Sequence, residues 1–455
     1  MTFLTFKEHL NLHSMKYQNN ITRRQFVKNA TLTAGGGLLL GSLPVRASAF
    51  AAGSETLRVG VVGCGGRGTG AASQALEADP GVKVVALGDA FRDRLDSCYE
   101  NLNNRWGESG RLDVPEERKF TGFNAYKNVI DLSDVVLLTS TPGFNPKHFE
   151  YAIEKGKHVF IEKPLATDVP GVHRVLEAGR KAKEKNLNVV VGLQRHYQTN
   201  YREIVKRVHN GDLGNIIAGQ VYWNGAGVWV RERQPEQTEM EYQMRNWYYF
   251  NWLCGDHILE QHIHNIDVAN WFIGDLPITA QGMGGREVRN GKDHGQIFDH
   301  HFVEFTYPGG QVISSQCRHQ PNTMRRVDEF FQTAEGTIYT SGRGDGEMKL
   351  WNGSTRYSHN YMEDPNPYQV EHDELFASIR SGGVINDTEF GANSTLIAIM
   401  GRMATYTGQL ITLDAVKNSQ EVLVHDDLDW SSNPPVLPDA DGNYPVPVPG
   451  VTALA

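Results

Sequence analysis

The feature that most constrains this chain is a glycine-rich turn set between a strand and a helix. Residues 57–62, LRVGVV, make a short apolar run of the buried-strand type, and Gly63-Cys64-Gly65-Gly66-Arg67-Gly68 follows at once. This G-x-G-x-x-G spacing leads into a helical stretch from Thr69 to Ala78. In such a turn the first glycine permits the tight bend and the second lets backbone approach a pyrophosphate. The third lets helix pack on strand, and the helix N-terminus faces the negative charge. The spacing alone is weak evidence, but its context supplies the rest. Asp79-Pro80-Gly81 turns the chain, Val82 to Leu87 reads as a second strand, and Asp89 ends it, 21 residues (89 − 68) after Gly68. A carboxylate at that distance takes both ribose hydroxyls of NAD and repels a 2′-phosphate. NAD is therefore expected over NADP, with Arg92 and Arg94 nearby as the contrary signal.

The alternation of strand and helix continues. Asp134 to Thr141 is a buried-type strand stopped by Pro142, Pro146 to Gly156 a helix, and His158 to Ile161 a strand ending in Glu162-Lys163-Pro164. Pro170 to Asn186 is an amphipathic helix, and Asn188 to Leu193 a strand ending in Gln194-Arg195-His196. This order predicts an α/β fold with a doubly wound parallel sheet, whose ligand lies beyond the carboxyl ends of the strands. Thr139, Lys163 and Arg195 stand at such ends. After about Asn200 strands come without interleaved helices: Ile216–Trp223, Thr279–Gly285, a hairpin over His301–Arg318, then Val327–Thr333 and Thr337–Ser341. That pattern predicts an open, largely antiparallel sheet, with helices near His257–Ile273, Glu371–Ser381 and Phe390–Thr407. With 455 residues, two domains are expected: a dinucleotide-binding Rossmann domain over 55–195 and a substrate and oligomerisation domain over 196–430. A Pro- and Asp-rich tail over 431–455 follows as extended chain.

Composition narrows the function. Lys+Arg 44 against Asp+Glu 53 leaves a net charge of −9, which argues against a nucleic-acid footprint. A mean hydropathy of −0.43, and no apolar run near span length past position 50, argue against an integral membrane protein. Cys64, Cys98, Cys254 and Cys317 are scattered with no CxxC, so neither a disulfide scaffold nor a zinc ribbon is signalled. Before position 50, Arg23-Arg24 precedes Phe26 and Lys28, a Gly- and Ala-rich apolar stretch follows from Ala30 to Val45, and Ala47-Ser48-Ala49 offers a small-x-small cleavage pattern. This resembles a twin-arginine export signal over 1–49, which implies a periplasmic location and export of an already folded protein.

Together, the fingerprint, the Glu162-Lys163-Pro164 tripeptide and the His264-Asn265-Ile266-Asp267 segment resemble the glucose–fructose oxidoreductase/inositol dehydrogenase (Gfo/Idh/MocA) family over roughly residues 55–420. Within that family the chain looks closest to exported members that oxidise glycosides at sugar C3. The resemblance implies that Lys163 contacts substrate hydroxyl and nicotinamide ribose and that His264 is the base. Glu260 stands where the family often has Asp, and there it orients His264 or holds a sugar hydroxyl. The chemistry agrees: oxidising an alcohol by hydride transfer needs a base for the O–H proton and a donor near the developing alkoxide. The structural alternatives are a surface salt bridge from Lys163 to Glu162 and a packing histidine at 264.

The expected cofactor set is Gly63, Gly65, Gly66, Arg67, Gly68, Asp89, Thr139, Glu162 and Lys163. The expected substrate set is Arg195, His196, Arg245, Asn246, Trp247 and Asp267, backed by an aromatic segment from Trp223 to Trp252. On one continuous helix, His257, Glu260, His264 and Asp267 would share a face suited to a metal; no metal is expected, because the family's enzymes of this type resemble metal-free ones. The expected function is hydride transfer from a sugar or glycoside hydroxyl to tightly bound NAD in a homo-oligomer. An NAD-dependent glycosidase working by transient C3 oxidation and elimination is the alternative, and a non-catalytic NAD-bearing protein the third reading.

Overall fold

The computed structural model describes residues 56–453; the export signal expected at 1–49 lies outside them. Six strands form the first sheet: β1 (Leu57–Val62), β2 (Val82–Asp89), β3 (Lys119–Thr121), β4 (Val135–Leu138), β5 (His158–Ile161) and β6 (Val189–Val191). Their order is β3-β2-β1-β4-β5-β6, and all neighbours are parallel. Between them run α1 (Gly66–Ala78), α2 (Arg92–Trp106), α3 (Ala125–Leu132), α4 (Asn145–Glu154) and α5 (Val169–Glu184). Helices on both faces bury the centre of the sheet, which is why β4 reads VVLL with no polar position. Helix α5 begins where its sequence says it should: the Asp168 carboxylate accepts from the Gly171 amide at 2.7 Å, Pro170 sits in the first turn, and Lys181 and Lys183 lie in the last.

The second half builds a nine-stranded sheet around β7 (Ile216–Gly225), β8 (Thr279–Gly285), β9 (His300–Thr306), β10 (Val312–His319), β11 (Arg326–Thr333) and β12 (Gly336–Ser341). Three short strands extend its edges: β13 (Gly346–Leu350), β14 (Thr355–His359) and β15 (Ile411–Thr412). The order is β14-β13-β12-β11-β7-β10-β9-β8-β15, antiparallel throughout except for the β7–β10 pair. One face is buried by alternate residues such as Val303, Phe305, Ile313 and Cys317, covered by two helices, Ile263–Ile273 and Thr388–Thr407. The latter also packs on α5 and so ties the two sheets together. A third helix, Pro367–Ser381, returns to lie on α1.

One element differs from the expected pattern in a way that matters. The helix anticipated over 257–273 breaks at Gln261–His262 into His257–Glu260 and Ile263–Ile273. The i, i+3, i+4 relation joining His257 and Glu260 to His264 and Asp267 is therefore lost.

Candidate active site

A cleft of about 520 Å³ opens beyond the carboxyl ends of β1, β2, β4, β5 and β6 and is walled on the far side by residues of the second half. Its floor is the glycine turn. Gly63 has φ +94°, and a Cβ there would meet the Thr139 backbone at 2.5 Å; one on Gly68 would meet the Gly63 carbonyl at 1.9 Å. These two glycines serve close packing. A Cβ on Gly65 or Gly66 would meet nothing within 4 Å, so these two leave free space at the start of α1, which no side chain caps. That open cradle at a helix N-terminus fits a pyrophosphate.

Asp89 ends β2 within the cleft. Its carboxylate accepts from the Cys64 amide at 2.6 Å and the Phe91 amide at 2.9 Å, one bond to each oxygen. It thus anchors the glycine loop and keeps lone pairs for ribose hydroxyls; burial raises its pKa. The Thr139 hydroxyl serves the loop as well, bonding the Gly63 carbonyl at 2.7 Å. The Arg67 guanidinium is engaged by Glu162, by Gln74 at 2.8 Å and by Glu371 at 3.4 Å. For a phosphate, the Arg67 backbone rather than its side chain is what the loop offers, and Glu162 faces Arg67 rather than Lys163.

Lys163 projects from the end of β5 toward the second half. Its ammonium donates to the Glu260 backbone carbonyl and lies 3.4 Å from Glu260 Oε1. Burial raises the Glu260 pKa, opposed by Lys163. His264 lies in the same cleft, its ring stacked on Trp223 with centroids 5.8 Å apart. Burial, then the Lys163 charge, hold its pKa well below the ordinary value, so the ring is neutral. Among the described residues His264 Nδ1 is buried without a hydrogen-bond partner, so Glu260 does not orient this ring. Glu260 is the partner of Lys163 instead.

Of the expected substrate residues, the cleft holds Arg245 and Trp247. Arg245 pairs with Asp93 and Glu241, each at 3.2 Å. The other four lie elsewhere. Arg195 is buried against Glu329. His196 bonds Asp267 at 2.8 Å between the rings of Trp271 and Phe390, and Asp267 also accepts from Ser394 at 2.8 Å. Asn246 is buried and holds the Arg231 amide at 2.9 Å and the Asp293 carbonyl at 2.8 Å. Arg195, Asn246 and Asp267 are buried and His196 half-buried, each with partners of its own, as burial demands.

The cleft includes residues that sequence reading did not assign: Phe91, Phe123, Gln261 and Tyr368. Tyr368 arrives from a helix 205 positions (368 − 163) after Lys163, and nothing local signals it. Gln261 was legible only as the neighbour of Glu260. The break after Glu260 also redirects His257, which joins Asp256 and His301 in a buried group with metal-ligand spacing. The Asp256 oxygens there already accept from the His257 amide at 2.5 Å, the Phe298 amide at 2.9 Å and the Tyr406 hydroxyl at 2.6 Å. This group is a hydrogen-bonded joint, and it is separate from Glu260 and His264.

Residues 57–193 match the family model described as oxidoreductase family, NAD-binding Rossmann fold. Over 241 residues the chain is 30% identical to inositol 2-dehydrogenase 3 of Saccharopolyspora erythraea, covering 52% of this chain and 60% of the relative. It is 27% identical over 252 residues to inositol 2-dehydrogenase of Acidiphilium cryptum, covering 54% and 63%. The alignments thus span less than two thirds of these curated relatives. Among solved structures, aldose-aldose oxidoreductase from Caulobacter crescentus superposes with a TM-score of 0.62 at 17% identity, over 79% of this chain and all of that one. Levoglucosan dehydrogenase, solved with NADH and levoglucosan, gives 0.60 at 15% with the same coverage. These likenesses establish the fold.

Proposed function

We propose, from the premise that this chain belongs to the Gfo/Idh/MocA family of NAD-binding oxidoreductases, that it oxidises a ring hydroxyl of a sugar or glycoside, with C3 as the carbon oxidised. The observation that carries this reading is the gathering of Lys163, Glu260 and neutral His264 around one cleft with the glycine loop. NAD, when bound, accepts the hydride. His264 takes the hydroxyl proton, and the Lys163 ammonium, held by Glu260, donates to the oxygen as negative charge develops there. The C–H bond yields its electron pair as hydride, the O–H bond yields its proton to His264, and a ketone remains. Trp223, Trp229 and Trp247 line the cleft beside these groups and suit the apolar faces of a pyranose, with Arg231 available to its hydroxyls. The inositol and levoglucosan in the relatives' names are cyclic polyols of the same chemical class.

A panel of alkyl and aryl glycosides with an artificial electron acceptor, its products read by mass, tests the reading. A keto-glycoside two mass units below the substrate is expected. Release of free sugar without net oxidation would replace it with the redox-neutral glycosidase, and no reaction across the panel would remove it.

The reading extends to compartment and assembly. Export of the folded protein through the twin-arginine route would place it where no NAD pool is maintained, so the cofactor is held without exchange and reoxidised in place. The segment that leads into the C-terminal tail supports retention: Trp430 packs on Phe91 at 5.2 Å and Phe123 at 4.9 Å, two rings that line the cleft. Extensive dialysis followed by denaturation should release close to one NAD per chain, and an empty dialysed protein would exclude this. The outer face of the nine-stranded sheet, where register sets Met283 beside Phe302 and Tyr222 beside Gln316, is the surface proposed to join copies in a homo-oligomer. Light scattering tests it.

A further inference from the structure

Behind the cleft lies a chain of three buried or half-buried polar side chains that the chemistry above does not use. Arg289 is 3% exposed. Its guanidinium donates to the Phe298 carbonyl at 2.5 Å and, through Nη2, reaches His319 Nδ1 at 2.6 Å. His319, the last residue of β10, is buried between the rings of His257 and Tyr248, and its Nε2 lies 2.9 Å from Gln261 Oε1. Gln261 lines the cleft together with Lys163, Glu260 and His264.

The donors and acceptors along this chain can be assigned without ambiguity. A guanidinium has donors only and does not lose its proton in proteins. His319 Nδ1 must therefore be the acceptor, which places the imidazole proton on Nε2. Burial, with His257, Arg289 and His301, opposes a second proton on this ring, while Asp256 favours one. The Nε2–H then donates to Gln261, which must present its carbonyl oxygen inward; a flipped amide would set donor against donor. The amide nitrogen of Gln261 is left as the free end, and among the described residues it makes no hydrogen bond. Around it the cleft offers an ammonium, a carboxylate and a neutral imidazole, so this amide is a neutral, donor-only group of fixed orientation.

We propose that Gln261 determines specificity by donating from its amide to a substrate oxygen beside the carbon oxidised, and that His319 and Arg289 are positioning residues that fix which end of the amide faces the cleft. A donor-only partner reads an oxygen as an acceptor, whether hydroxyl or ether, and gains nothing from a position lacking one. The inference rests on the sugar reading for the identity of its ligand, while the relay itself does not.

Two measurements test it. In protein labelled with ¹⁵N-histidine, the His319 signals, identified by their loss in His319→Phe, should show the Nε2–H tautomer at neutral pH. An Nδ1–H tautomer or an imidazolium would overturn the relay whatever the enzyme acts on. In calorimetry on the NAD-loaded protein, methyl glucosides carrying hydrogen or fluorine in place of the 2- or 4-hydroxyl should differ at one position, the fluoro compound binding more tightly because fluorine still accepts. Loss of the Gln261 contact should cost about 2- to 10-fold in affinity, the range of a neutral hydrogen bond. Gln261→Ala should abolish the fluoro–deoxy difference. His319→Phe should abolish it too without touching ligand, and His319→Gln, which again offers an acceptor to Arg289 and a donor to Gln261, should restore it. A difference that survives in Gln261→Ala would overturn the proposal. A series in which no member binds would overturn the sugar reading and the ligand of Gln261 with it, leaving the tautomer to decide the relay alone.

Discussion

Replacing Arg195 separates two roles that sequence and geometry assign differently. At the end of a parallel strand the position suggests a guanidinium reaching for substrate. The structure buries it, 2% exposed, against a fully buried Glu329. Glu329 also accepts from Asn265 at 2.5 Å, Tyr201 at 2.9 Å and Thr340 at 2.7 Å, so this one carboxylate joins the chain after β6 to β11, β12 and the helix bearing His264. Arg195→Met removes the positive partner and leaves a buried charge with three neutral donors. Breaking one side of a buried pair costs about 3–5 kcal/mol. Burial already raises the Glu329 pKa against the opposing effect of Arg195, so loss of Arg195 raises it further. A carboxyl whose folded pKa exceeds its unfolded value favours folding while protonated and loses that contribution as pH rises through the folded pKa. The variant should therefore be less impaired at pH 5 than at pH 8. Adding Glu329→Gln removes the stranded charge and keeps an acceptor for the hydroxyls, so the double variant should recover at least about half of the loss. Urea unfolding followed by tryptophan fluorescence measures all three proteins at both pH values. A stable Arg195→Met protein whose only defect is a raised KM would refute the structural role and return Arg195 to the substrate.

Lys163→Ala and His264→Ala should each lower the oxidation rate on the order of 10²–10⁴-fold while the protein stays folded and NAD-loaded; a fully active Lys163→Ala enzyme would remove the mechanism. Asp89→Ala should weaken NAD and barely affect NADP, since only the former gains from a carboxylate at the ribose; fluorescence titration of protein refolded without cofactor compares the two. Asp387 is buried, accepts from the Tyr197 hydroxyl at 2.5 Å, and has its pKa raised by burial from 3.8 to about 6. The folded state thus holds a proton that the unfolded state releases near pH 4, and the stability this contributes is lost as pH rises through about 6. The gap corresponds to about 3 kcal/mol, and Asp387→Asn should flatten the unfolding midpoint against pH across that window.

The nucleotide half of the fold was readable from the chain because its signals are local. Strand-turn-helix order, buried runs such as VVLL and glycines where a Cβ cannot fit all act within a dozen residues, and parallel βαβ units allow few other arrangements. The open second sheet was legible in its main strands, although β13 to β15 are too short and polar to announce themselves. Lys163, Asp89 and the glycine turn reach the cleft because they close or directly follow strands whose carboxyl ends open onto it, whereas Arg195 stands four residues (195 − 191) beyond β6 and turns to Glu329.

What local pattern cannot carry is the pairing of polar groups across the chain. Arg195 and His196 have the composition of binding residues, and only the approach of β11 and of the helix over Ile263–Ile273 supplies Glu329 and Asp267 to bury them. The histidine-rich run over 257–267 reads as one helical face, yet Asp256, at φ +75° with its carboxylate on the Phe298 amide and Tyr406, fixes its start, and the break at Gln261 sends His257, Glu260 and His264 to different partners. Sequence by itself determined where the nucleotide loop and its strand-end residues lie, since backbone sterics and burial act on neighbours. Tertiary structure alone decided which polar side chains are satisfied inside and which remain free to face a ligand, because a buried donor takes whichever acceptor the fold brings within 3 Å or so, however far away it lies in the chain.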